Sequence, residues 1–143
     1  KAAAPPPPAE AERPRGSETI LVVEDEAILR ELLRKLLEAA GYTVVLARNG
    51  AEALEICERK DSPIDLLLTD LVMPEMSGRE VAQRVRAKIP GIHVLYMSGY
   101  TDDAVVVHGV LEEDMAFLQK PFTLQTLARK VREVLERPPG ETA

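Results

Sequence analysis

Ile64-Asp65-Leu66-Leu67-Leu68-Thr69-Asp70 decides the fold of this chain. From Ile64 to Thr69 the run is nearly all apolar, and a carboxylate follows it. A strand of that composition is covered on both faces, as strands of parallel α/β sheets are. Working outward, three more short apolar runs lead into polar residues. Ile20-Leu21-Val22-Val23 precedes Glu24-Asp25, Val94-Leu95-Tyr96-Met97 precedes Ser98, and Ala116-Phe117-Leu118-Gln119 precedes Lys120.

Amphipathic stretches separate these runs. After the first strand, Leu29, Leu32, Leu33, Leu36, Leu37 and Ala40 fall at helical spacing for one buried stripe. Gly41 stands where a helix end takes positive φ. Val44-Val45-Leu46 reads as a second strand, and Asn49 with Glu52 starts a helix carrying Ala53, Leu54 and Cys57. Ser77 with Glu80 forms a capping box ahead of Val81, Val85 and Ile89. Ile92 to Met97 is a fourth strand, Thr101 can cap a helix, and Met115 to Leu118 is a short fifth strand. Thr123 caps a last helix bearing Leu124, Leu127, Ala128, Val131, Val134 and Leu135. A βα unit repeated five times predicts a doubly wound α/β fold, a parallel sheet with helices on both faces. Periodicity leaves the strand order open. The helix expected over 101–111 has poor propensity, with Val105, Val106, Val107 and Gly109 in it. Either packing overrides that propensity, or the segment is marginal so that it can move.

The length of 143 residues is that of one domain. Residues 1–17, with Pro5-Pro6-Pro7-Pro8, read as a Pro/Ala-rich linker or disordered tail. The domain spans 18–137, and 138–143 is a C-terminal tail. The first residue is Lys1 and not Met, so the chain is expected to be a fragment of something longer. Aromatic content of 3% leaves the packing to Leu, Val, Ile and Ala. A net charge of −6 argues against a nucleic-acid binder. Cys57 is the single cysteine, which excludes a disulfide framework and fits a cytoplasmic protein. No apolar run is long enough to span a membrane, so no membrane contact is expected of this chain.

If the runs are strands of one parallel sheet, Glu24, Asp25, Asp70, Ser98 and Lys120 gather at its carboxyl edge, where ligands bind in open α/β folds. Clustered carboxylates suit a hard divalent cation such as Mg2+. Without one they repel, and at least one becomes harder to ionise. An ionised Asp can act as a nucleophile toward phosphorus. The Lys120 ammonium can grip a phosphoryl oxygen, and the Ser98 hydroxyl can donate to one. Singly, each is an ordinary turn former, helix cap or loop charge. Their joint placement on the right strands, in the right chemical types, carries the reading.

The stretches Leu21-Val22-Val23-Glu24-Asp25-Glu26, Leu68-Thr69-Asp70-Leu71-Val72-Met73-Pro74, Tyr96-Met97-Ser98-Gly99-Tyr100 and Lys120-Pro121-Phe122 closely resemble the receiver domain of bacterial two-component response regulators. The resemblance covers about residues 19 to 136. It implies a flavodoxin-like five-stranded parallel sheet of order 2-1-3-4-5. It implies Asp70 as phosphoacceptor, with Glu24, Asp25, Asp70 and the backbone carbonyl of Val72 around Mg2+ or Mn2+. Ser98 would be the switch hydroxyl, Lys120 the phosphate-binding lysine, and Pro121 a residue after a cis peptide. Phe117 occupies the aromatic switch position, where the family often has Tyr, so a hydroxyl-mediated contact is lost there. The implied partner is a histidine kinase or a histidine phosphotransfer domain. Tyr96 to Asp103 and Phe117 to Phe122 look like receivers at the C-terminus of hybrid sensor histidine kinases, with a stand-alone regulator as the runner-up. Such a domain assists its own phosphorylation and dephosphorylation.

Other classes fit less well. A phosphatase of the haloacid dehalogenase type needs a second Asp two residues past the nucleophile, and Val72 sits there. A dinucleotide-binding enzyme needs a Gly-rich turn where Glu24-Asp25-Glu26 stands. A pseudo-receiver would lack the acceptor Asp or the Lys. His93 and His108 have no ligand cluster around them and read as surface or packing residues.

Overall fold

The structure, a computed structural model, describes residues 18–59, 63–98 and 116–136. The elements are β1 (Thr19–Val23), α1 (Ala27–Ala39), β2 (Thr43–Ala47), α2 (Gly50–Arg59), β3 (Leu66–Asp70), α3 (Gly78–Lys88), β4 (His93–Ser98), β5 (Ala116–Gln119) and α4 (Leu124–Leu135). All five strands are parallel, in the order β2-β1-β3-β4-β5. The chain reverses its winding between β1 and β3, so this is a doubly wound sheet with a switch point beside its central strand. The helix expected over 101–111, with Thr101, His108 and Gly109, lies outside the described residues.

Alternation along each strand divides the core into two layers. Ile20, Val22, Leu66, Leu68, Leu95 and Met97 face α1 and α4, where Leu33, Leu37, Leu127 and Val131 meet them. Leu21, Val23, Leu67, Val94 and Tyr96 face α2 and α3, where Ala53, Cys57, Val81 and Val85 meet them. Every residue of β3 is buried, which explains its unbroken apolar run.

Several boundaries differ in detail from the sequence reading. β3 begins at Leu66 and extends through Asp70, and β4 extends through Ser98, so these two polar residues close their strands instead of following them. The ladder continues past them because Leu71 N–H donates to Met97 O at 2.8 Å and Lys120 N–H to Ser98 O at 2.7 Å. Leu32, expected on the buried stripe of α1, is 46% exposed. At 100° per residue it falls beside the stripe centred on Leu29, Leu33, Leu36 and Leu37. Ser77 caps α3 through Glu80 N–H at 3.2 Å, but the Glu80 carboxylate turns outward to Arg84 at 2.9 Å. Thr123 caps α4 through Thr126 N–H at 3.1 Å. Asn49 accepts from Glu52 N–H at 2.8 Å at the head of α2. Gly41 has φ 102°, which frees α1 to end.

Candidate functional site

The polar ends of β1, β3, β4 and β5 meet at one edge of the sheet. Glu24 follows β1 and is only 1% exposed. Its N–H continues the ladder to Ala47 O at 3.1 Å, and its Oε2 accepts from Glu26 N–H at 3.0 Å. Its Oε1 is buried and receives no hydrogen bond, with Lys120 Nζ standing 3.6 Å away. Asp25 is exposed at the rim. Asp70 is buried, and its Oδ2 accepts from Lys120 Nζ at 3.3 Å. Carboxylate oxygens of Glu24, Asp25 and Asp70 lie within 4.8 Å of one another, close enough to share a cation.

Lys120 follows β5 and stands between the two buried carboxylates, 3.3 Å from Asp70 and 3.6 Å from Glu24. The peptide joining it to Pro121 is cis. Burial works to lower the Lys120 pKa, but Asp70 and Glu24 outweigh it, so the ammonium stays charged. Burial pushes the Glu24 carboxyl up to about 7, the Asp70 charge adds to the rise, and the Glu26 N–H and Lys120 oppose it. A carboxyl group that hard to ionise, with a buried oxygen short of a donor, is what a bound cation would correct. The donor set is all oxygen, which suits a hard cation and not a soft one.

Behind Asp70, the backbone is braced by two close approaches. Gly78 N–H donates to Leu71 O at 2.8 Å, and a Cβ on Gly78 would lie 2.9 Å from Leu71 Cα. Between them, Met76 N–H closes a three-residue turn onto Pro74 O at 2.8 Å, with Glu75 at φ 74°. That backbone is the strained γ-turn type. Met73 and Met76 anchor the loop by packing on the α2/α3 side of the core. A Cβ on Gly50 would come within 2.5 Å of Met76 Sδ, so α2 also abuts this loop. Val72, two residues past Asp70, is 48% exposed.

Ser98 is fully buried at the end of β4. Phe117 pairs with Tyr96 across the β4/β5 ladder and packs, partly buried, on the α2/α3 side of the sheet. The sequence reading did not single out Gly78 or Arg30. Arg30, on the first turn of α1, donates from Nη1 to the main-chain carbonyl of Glu24 at 2.8 Å. A glycine just after a cap reads as an ordinary helix start, and an Arg on a helix reads as a solvated charge. Their positions close to Asp70 and Glu24 in sequence were the available signals.

The chain belongs to the response regulator receiver domain family, whose model matches residues 20–132. It is 41% identical over 122 residues to the sensor kinase CckA of Brucella abortus, covering 85% of this chain and 13% of that protein. It is 38% identical over 116 residues to the response regulator receiver protein CpdR of the same organism, covering 81% of this chain and 95% of that one. Among solved structures, it resembles the receiver domain of the hybrid histidine kinase CckA at 34% identity and TM-score 0.69, covering 82% of this chain and 99% of that one. A receiver domain protein from Clostridium thermocellum superposes with TM-score 0.73 at 28% identity, covering 84% of this chain and 95% of the other. No helix among the described residues is long and apolar enough to cross a membrane.

Proposed function

We propose that this domain accepts a phosphoryl group on Asp70, in the presence of Mg2+ or Mn2+, from the phosphohistidine of a histidine kinase or histidine phosphotransfer domain. The observation that carries the reading is Lys120 Nζ, 3.3 Å from Asp70 and 3.6 Å from Glu24 inside the three-carboxylate cluster. An Asp70 oxygen forms the new bond to phosphorus as the phosphorus–nitrogen bond of the donor breaks. Glu24, Asp25, Asp70 and the Val72 carbonyl are the groups that would hold the cation. When bound, the cation neutralises charge on the transferring group, which is most of what phosphoryl transfer requires. Lys120 stays protonated and receives a phosphoryl oxygen, and the Ser98 hydroxyl donates to another. Phe117, on the neighbouring strand and two residues before Gln119, the partner of Ser98, then follows the change at the sheet edge.

The protein acts in the cytoplasm, as the receiver of a hybrid sensor histidine kinase. The similarity to CckA, in sequence and in the structure of its receiver, supports that context. The second reading, a stand-alone regulator, is supported by the match to CpdR over nearly its whole length. The deciding experiment is labelling by a phosphorylated histidine kinase or a small phosphodonor, with and without Mg2+. Label should require the cation and vanish in Asp70→Asn. Label that persists on that variant would show that another residue is the acceptor.

A further inference from the structure

Arg30 occupies the first turn of α1, where its N–H donates to Glu26 O at 2.9 Å. From there its guanidinium reaches back to the carbonyl of Glu24, not to either neighbouring carboxylate, at 2.8 Å. Glu24 is therefore held from three directions. Ala47 O receives its N–H at 3.1 Å, Glu26 N–H holds Oε2 at 3.0 Å, and Arg30 holds its carbonyl. The remaining atom, Oε1, faces the cluster shared with Asp70 and Lys120. A fixed positive charge beside a cation site opposes binding by Coulomb's law alone. What Arg30 contributes must therefore be geometry, delivered through the main chain.

We propose that Arg30 is a positioning residue, clamping the Glu24 main chain so that Glu24 and the adjoining Asp25 present their oxygens to the divalent cation. This rests on the reading of the acidic cluster as a Mg2+ site. Outer groups that orient metal ligands typically change affinity by about 10- to 100-fold when removed. The guanidinium here makes one hydrogen bond to a carbonyl, so Lys, with one reaching ammonium, can stand in for it, whereas Met cannot.

The test is Mg2+ titration of the full chain, followed by calorimetry or amide NMR at mildly alkaline pH, for the native protein, Arg30→Lys and Arg30→Met. Urea unfolding without metal is measured alongside. Positioning predicts about tenfold weaker Mg2+ binding in Arg30→Met and recovery in Arg30→Lys. If Arg30 acts only through its charge, Arg30→Met binds Mg2+ more tightly. If it only supports the helix, Arg30→Met loses stability and keeps its Mg2+ affinity. Either of the last two results overturns the proposal while leaving the cation site itself in place. Absence of Mg2+ binding by the native protein would instead remove the cation reading and this proposal with it.

Discussion

Gly78 presses its α-carbon against the main chain of Asp70, so closely that a Cβ there would lie 3.0 Å from the Asp70 carbonyl carbon and closer still to its oxygen. Gly78 also donates its N–H to Leu71 O at 2.8 Å, so α3 begins in direct contact with the residue that carries the candidate chemistry. The helix and the strand end can share this space only because one of them lacks a side chain.

Gly78→Ala should therefore destabilise the fold by about 1–3 kcal/mol, the usual cost of overpacking a filled site. The loss comes from backbone displacement, and that displacement moves Asp70, so phosphorylation by a small phosphodonor should slow as well. Urea midpoints and labelling rates read the two effects. An unchanged midpoint would show that the α3 start yields without strain.

Glu24 should make stability depend on pH. Its carboxyl titrates at about 7 in the folded protein against 4.5 for the ordinary group, so the folded state binds more protons between those values. Stability without metal is then greatest below pH 4.5 as far as this group is concerned, and its contribution is lost as pH rises through about 7. The contribution is on the order of 3 kcal/mol. Glu24→Gln should flatten that part of the profile in denaturant melts taken across the range. A native profile that matches the variant's would mean Glu24 ionises normally in its site.

Mg2+ should bind more tightly as pH rises through the Glu24 titration, since ligands must be deprotonated. Lys120→Met removes a charge that favours ionised Glu24, so the Glu24 titration should move further upward. At pH well above that titration, Mg2+ affinity should be equal or greater in the variant, because an ammonium repels a cation. Carbon-detected NMR of the Glu24 carboxyl, with metal titrations at two pH values, measures both. A strong loss of affinity at high pH would contradict the assigned role.

Phosphoryl occupancy should be felt at Phe117. Beryllofluoride, mimicking the phosphoryl group, should draw the Ser98 hydroxyl and alter amide exchange at Phe117 and at Lys120, whose N–H bonds Ser98 O at 2.7 Å. A charge-assisted hydrogen bond of about 1.5–3 kcal/mol is enough to shift a two-state population roughly tenfold or more. Ser98→Ala should bind the mimic yet lose the response at Phe117. An identical response in that variant would separate the two residues.

Much of the architecture was readable because each strand is short, apolar and closed by a polar residue. β3 is the clearest case, since both its faces are covered and nothing interrupts Leu66-Leu67-Leu68. The strand order was not readable from periodicity, because alternation records which face a residue takes and not which neighbour its strand pairs with. Leu32 misled for a related reason. An apolar residue at the flank of a stripe has the same spacing whether a neighbour covers it or not, and here it is 46% exposed. In the site, Glu24, Asp25, Asp70 and Lys120 were visible by type and place. Arg30 and Gly78 were not, since their partners are main-chain atoms, and a bond to a carbonyl leaves no complementary residue in the sequence.

Glu18, just ahead of β1, is tied to Arg132 of α4 at 2.9 Å, and Arg132 reaches on to Tyr42 and to Glu136. The beginning of β1 and the end of α4 thus share one end of the sheet, while the carboxylate cluster occupies the other. Five residues of strand, about 17 Å, separate them. Covalent attachments at Glu18 or Glu136 would therefore leave the approach to Asp70 unobstructed. In engineering terms the domain is laid out like a cartridge, with both seams on one side and its candidate working surface on the other.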